Sequence, residues 1–325
     1  DAPKSEIREY WKKRDGEHKW LEDVDGSNAL GWVEEKNDLC FKALGTPQES
    51  SSYSTILSIL ENKDKIPHIT LIGDFYYNYW TDATHIRGIL RRTTLLSYKT
   101  ANPTWETVID IDKLGADESE PWVYKGYQVF KPDSSTDANN AGNKPPSHYS
   151  LVSRRILLKL SRGGADATVI REFDLITKSF VLPKDGGFVV NEAKTHLSWK
   201  DSDTLLIGTD MQDGKSLTDS GYPRTVREWK RNTPLNDSKL VMECETSDMV
   251  ISGYMSKHKG HKYQLVIIMQ SFYTNTCYMK MKMGSWVEIP KPDSATIEQF
   301  ADKFLITLRN DWILNNATNT TYKAG

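Results

Sequence analysis

The 325 residues hold only three cysteines, Cys40, Cys244 and Cys277, far apart and without paired spacing. That pattern excludes a disulfide framework and a four-ligand zinc site, and it leaves at least one thiol unpaired within the chain. No charge of one sign dominates: 42 Lys and Arg stand against 44 Asp and Glu, for a net charge of −2. A chain so balanced has no global field to gather nucleic acid or an anionic membrane. No apolar run approaches the ~18–20 residues of a membrane span, and the longest candidate, Leu265–Met269, is strand length. A soluble chain is expected, with neither nucleic acid nor membrane as partner.

What is present divides at about residue 65. Before it, Asp25-Gly26-Ser27 offers an N-cap, and Ala29, Val33, Cys40 and Leu44 recur at helical spacing up to Gly45. A second helix is predicted with Ser51 or Ser52 as its cap and Tyr53, Ile56, Leu57 and Leu60 on one face, stopping before Pro67. From Ile66 the period falls from 3.6 to 2, in short β-branched and aromatic runs separated by Gly, Asp, Asn and Pro. Strands are predicted at 69–72, 75–80, 93–98, 107–111, 122–129, 156–161, 167–174, 196–199, 205–209, 226–230, 263–271, 277–281 and 304–308. Many short strands with a turn signal about every ten residues read as a sandwich, a barrel or a propeller, and the repetition favours the propeller. The stretch Lys131–Pro146, rich in Ser, Asp, Asn, Gly and Pro, has too little to bury to offset its ordering entropy and reads as a flexible loop.

Motifs that carry chemistry are few. Gly208–Ser216 resembles a phosphate loop with one residue too many between its glycines, and Gly221 and Pro223 deny it the helix it needs, so it reads as a turn. His258 and His261 have a metal-like spacing, but Lys257, Lys259 and Lys262 around them indicate a charged hairpin tip. Asp110, Asp112 and Gly115 begin like a calcium loop, yet Leu114 takes a ligand position and Pro121 the closing one. His18, His68, His85, His148 and His196 have no serine or cysteine nucleophile beside them. Tyr76, Tyr77, Tyr79 and Trp80 alternate as half core and half face. No cofactor and no metal ligand set is expected. Three Asn-x-Ser/Thr triplets, at Asn236, Asn316 and Asn319, lean the chain towards a secreted or lumenal compartment, and a first residue Asp1 fits either a removed leader or a trimmed chain.

A family resemblance rests on Trp20–Ser27 followed by Trp32–Asn37, and continues in order through Tyr76–Trp80, Arg91–Thr94, Pro103–Glu106, Leu160–Asp166, Arg171–Asp174, Gly208–Asp210 and Ser216–Arg224. These segments are similar to those of the prolyl oligopeptidase family of serine peptidases, over about Trp20 to Trp312. The resemblance implies an all-β fold: a β-propeller, seven-bladed in the family and incomplete here, over residues 66–325, preceded by a helical segment, 1–65, that packs on a C-terminal α/β-hydrolase domain. The nucleophile of such a domain sits in a Gly-x-Ser-x-Gly elbow, and no serine here has glycine two residues before and two after it.

The expectation is therefore a substrate-gating propeller portion of a peptidase that hydrolyses short peptides after proline. It would not be catalytic alone, its partners being a short peptide and a missing or separate hydrolase domain. Its catalytic residues are none. In the family the loop matching Ser216–Arg224 lies towards the cavity, so Tyr222 is the residue to contact a peptide and Arg224 the one to pair with its carboxylate. The alternatives are a free-standing non-catalytic propeller that binds a peptide or protein partner, and a hydrolytic site using Asp201, Asp203 and Asp210. The stripe Ala29, Val33, Cys40 and Leu44, with Trp32 at its edge, is expected to make few contacts with the blades.

Overall fold

A computed structural model describes residues 16–23, 26–131, 154–314 and 320–325. The chain divides into two compact units, residues 1–65 and 66–325. In the first unit, helix α1 spans Ser27–Leu44 and ends at Gly45, whose N–H bonds to the Phe41 carbonyl. Asp25 of the expected cap lies outside the described residues, and Gly26 takes the cap position without a side chain to offer. Helix α2, Ser51–Glu61, is capped one residue earlier than expected, by Ser50, whose Oγ accepts from the Tyr53 N–H at 3.1 Å. Of the predicted stripe only Ala29 is buried, while Val33, Cys40 and Leu44 are exposed. No described helix is long and apolar enough to cross a membrane.

The second unit is a series of antiparallel sheets taken in chain order. The first joins β1 (Thr70–Ile72), β2 (Phe75–Trp80), β3 (Ile89–Thr93) and β4 (Glu106–Asp110). The second joins β5 (Trp122–Val129), β6 (Arg155–Arg162), β7 (Thr168–Asp174) and β8 (Ser179–Phe180), with β9 (Val189–Ala193) on the other half of β7. The third holds β10 (His196–Asp201), β11 (Thr204–Gly208), β12 (Thr225–Lys230) and β13 (Lys239–Glu243), and the fourth β14 (Val250–His258), β15 (His261–Met269), β16 (Asn275–Lys280) and β17 (Trp286–Glu288). Two-stranded ladders follow: β18 (Thr296–Phe300) with β19 (Lys303–Thr307), and β20 (Trp312–Ile313) with β21 (Thr321–Tyr322).

The strands of each sheet meander in chain order, β9 of the second apart, and from the second sheet onward the first strand lies against the first strand of the next, β5 on β10, β10 on β14 and β14 on β18. The cores lie in the seams between sheets. Tyr77, Leu90, Trp122, Leu158 and Phe173 fill the first seam; Leu157, Phe188, Trp199, Leu205 and Trp229 the second; Leu206, Val226, Ile251 and Val266 the third. Successive meanders sharing seams of this kind make a β-propeller. The seams also set glycine requirements. A Cβ on Gly253 of β14 would come within 2.6 Å of Val226 in the sheet before it.

Two predicted strands are displaced. Residues 93–98 hold the end of β3 and a helical turn, α3 (Leu95–Tyr98), because Thr94 caps it by accepting from the Ser97 N–H at 3.2 Å. Ile111 starts helix α4 (Ile111–Glu118) instead of ending a strand, capped by Asp110 through the Lys113 N–H at 2.9 Å. Asp112 is spent on the Arg87 and Gly88 amides, so the calcium-like spacing is a cap and a brace. Apart from Lys131, the stretch expected to be a flexible loop lies outside the described residues, as do His148, Asn316 and Asn319.

Candidate peptide-contact loop

The connection from β11 to β12 is built on its own side chains. Asp210 accepts from the Gln212 N–H at 2.7 Å, Asp213 from the Lys215 and Ser216 amides at 2.8 and 2.9 Å, and buried Ser216 from the Met211 N–H at 2.8 Å. These contacts consume the amides that a phosphate loop would turn towards a ligand, and the segment is a turn, as its extra residue suggests. Beyond it the chain folds back: Leu217 bridges Pro223, and the Thr218 N–H bonds to the Tyr222 carbonyl at 2.9 Å. The reversal passes through Gly221, whose φ of 72° favours glycine. Thr218 Oγ1 donates to the Met249 carbonyl and the Asp219 N–H to Thr246, which ties the loop to the segment leading into the fourth sheet.

Arg224 acts as a brace. Its Nε donates to the Cys244 carbonyl at 2.8 Å and its Nη1 to the Lys215 carbonyl at 3.1 Å, with Glu243 at 3.8 Å from Nη2. Tyr222, half-buried, lies differently. Lys194 Nζ stands 4.3 Å from its ring centroid, and the His196 ring meets it edge-on at 6.4 Å. The His196 imidazole is held below its ordinary value by burial first and by the charge of Lys159 second, while burial alone lowers Lys159. Sequence reading set His196 aside as a lone histidine and passed over Lys159 and Lys194. The one available signal was a lysine inside the apolar run Ile156–Leu160.

The other candidates are kept apart. Asp201 and Asp203 sit at the β10–β11 turn, where Asp201 accepts from the Asp203 N–H and Asp203 pairs with Arg231. Asp210 follows the far end of β11, about 16 Å of strand away, too distant for a carboxylate pair to share one bond. Across the β14–β15 hairpin His258 is paired opposite His261, and its Nδ1 accepts from the Ala301 N–H at 2.8 Å, so that nitrogen is occupied. Burial pushes the Cys244 and Cys277 thiols up to about 11, which keeps both protonated near neutrality. Asn236 is exposed on its turn, but Ser238 of that triplet is buried, with its Oγ accepting from Arg227.

Residues 8–138 match the family described as prolyl oligopeptidase, N-terminal beta-propeller domain. Over that stretch the chain is similar to the propeller part of the prolyl oligopeptidase family. It is 27% identical over 318 residues to an uncharacterized peptidase of Sinorhizobium fredii, covering 94% of this chain and 40% of that protein. It is also 27% identical over 314 residues to an uncharacterized peptidase of Rickettsia prowazekii, covering 92% of this chain and 40% of the relative. Among solved structures it superposes on a post-proline cleaving enzyme from Rickettsia typhi with a TM-score of 0.73 and 26% identity, over 92% of this chain and 42% of that one. Prolyl oligopeptidase B from Galerina marginata shares the fold at a TM-score of 0.59 and 14% identity. The chain thus spans about 40% of the length of the curated relatives it matches.

Proposed function

We propose that this chain is the substrate-gating propeller of a serine peptidase that hydrolyses short peptides after proline, and that it is not catalytic by itself. The observation that carries the reading is the 216–224 loop. It is braced at Arg224 and Thr218 and presents Tyr222, half-exposed, where an aromatic face can lie on a peptide. The family match and the post-proline activity named for the Rickettsia typhi structure support the substrate class. A ring of sheets around a narrow passage admits a short peptide and excludes a folded protein, which is the selection such a domain would perform. In this reading Tyr222 contacts the peptide, and Arg224 holds the loop in shape with its Nη2 facing Glu243.

The test is incubation of the isolated chain with proline-containing octapeptides, followed by mass spectrometry. The peptides should stay intact. Turnover blocked by a serine-directed inhibitor would overturn the reading. In the same chain Tyr222→Ala should weaken peptide binding by about tenfold, the effect of removing a packed aromatic worth ~1.4 kcal/mol. An unchanged calorimetric affinity would remove Tyr222 from the contact.

A further inference from the structure

Each of the first three seams carries a cation matched by a carboxylate from the neighbouring sheet. Lys178 meets Glu106 at 2.7 Å across the first, Arg231 meets Glu172 at 2.7 Å across the second, and Lys280 approaches Glu228 at 3.7 Å across the third. Lys159 breaks the pattern. It shares the face of Leu157, which fills the second seam, and it has neither a carboxylate nor a hydrogen-bond acceptor among the described residues. The acidic groups of adjoining segments are engaged elsewhere: Glu192 with Arg162 at 2.7 Å, Asp210 and Asp213 with backbone amides. At the same end of the seam lie His196, the first residue of β10, and Lys194 just before it, gathered around the Tyr222 ring. Lys194 and His196 therefore meet at the Tyr222 ring, the charge of Lys159 acts on His196, and among the described residues no carboxylate pairs with Lys159 or Lys194 and the Tyr222 hydroxyl has no partner.

We propose that Lys159, Lys194, His196 and Tyr222 form a recognition site for a carboxylate of a bound short peptide. The proposal rests on the peptide-gating reading and names the chemical feature of the peptide that the loop holds. A half-buried ammonium without a counter-ion is costly to keep charged. An incoming carboxylate relieves that cost, and it gains charge-assisted hydrogen bonds from Lys159 and Lys194 while the peptide chain lies on Tyr222. The pairing that Lys178, Arg231 and Lys280 find within the protein would for Lys159 be completed by the ligand.

The experiment is calorimetric titration of the full chain with one proline-containing tetrapeptide, as its free acid and as its C-terminal amide. The acid should bind about tenfold more tightly than the amide, the discrimination expected of one charge-assisted contact. The preference should fall below about twofold in Lys159→Met and in Lys194→Gln. Lys159→Met removes an unpaired charge from a seam and should keep or raise the melting temperature, so loss of preference in a folded variant is readable. Equal affinities for acid and amide, no binding of either, or a preference that survives both substitutions would overturn the proposal. Cleavage of the peptide by the chain would instead overturn the gating reading, so the two failures are distinguishable.

Discussion

At the scale of single residues, the second seam turns on Glu172. Its side chain is 0% exposed, and its two oxygens accept from Arg155 Nη1 at 3.2 Å, Arg231 Nη1 at 2.7 Å and the Phe188 N–H at 3.0 Å. Arg231 is further fixed by the Gly186 and Ser202 carbonyls and lies over the Phe188 ring. Removing the charge leaves two guanidinium groups facing a neutral amide in a buried seam, and breaking a buried pair from one side costs roughly 3–5 kcal/mol. Glu172→Gln should therefore lower the unfolding free energy by about 3 kcal/mol in denaturant titration; a loss under about 1 kcal/mol would mean that the network is not holding the sheets. None of this pairing was legible in the sequence, where Arg171–Asp174 served as the end of a predicted strand and as part of a family resemblance. The same holds for Lys159 and His196, because a charged residue's partner is set by which strands share a seam, and that is decided by tertiary packing. The resemblance singled out the loop that carries Tyr222; the bracing contacts of Arg224 could not be read in it, since its acceptors are backbone carbonyls at 215 and 244.

At the scale of elements, the strands that sequence reading found are those with a strong local pattern. Phe75–Trp80 and Trp122–Val129 were placed to the residue, with long aromatic or alternating runs and clear breaks at both ends. Among those it missed, Val189–Ala193, Lys239–Glu243, Val250–His258, Trp286–Glu288 and Thr296–Phe300 are short or carry polar residues that tertiary pairing overrides. Thr94 and Asp110 were read as strand residues, Asp110 also as the start of a calcium-like spacing, although each is a helix cap, and the capping hydrogen bond decided the outcome. Gly253 illustrates a constraint that no periodicity reveals. It sits in β14 with ordinary strand pairing to Val266, yet its missing side chain is what lets Val226 of β12 approach. Gly253→Ala should destabilise the chain by about 1–3 kcal/mol through overpacking. Combining it with Val226→Ala, which opens space at that point, should cost less than the sum of the two single changes. Strict additivity in urea titrations would show that the two side chains do not compete for one volume.

At the scale of the whole molecule, four carboxylates in the seams and turns shift in the direction that favours neutral over acidic solution. Glu106 in the first seam is pulled from its ordinary 4.5 down to about 2, chiefly by the hydrogen bond from Arg92 and then by that from Lys178. Asp82 is held well below the usual carboxylate range, first by the Thr84 hydroxyl, and Asp213 below it by the Lys215 amide. Burial pushes Glu228 up, but the hydrogen bond from Lys200 with the Lys200 charge outweighs it, so this carboxyl also lies below its ordinary value. A carboxylate lowered in the folded state gives stability that is complete above its unfolded value and lost as the pH falls through its folded one. His196, lowered by burial, acts in the same sense: the unfolded chain takes up its proton below 6.5 before the folded chain does. The melting temperature should therefore begin to fall below about pH 6.5 and keep falling towards pH 2. Glu106→Gln should flatten the limb between about pH 5 and pH 2, because it removes a group that binds a proton on unfolding in that window. Glu106 is partly exposed, so 0.5 M salt should reduce its share of the limb while leaving the His196 portion nearer neutrality in place. A melting temperature that holds constant from pH 6.5 to pH 3, or an acid limb as steep in Glu106→Gln as in the parent chain, would show that the seam pairs do not set the acid stability of the propeller.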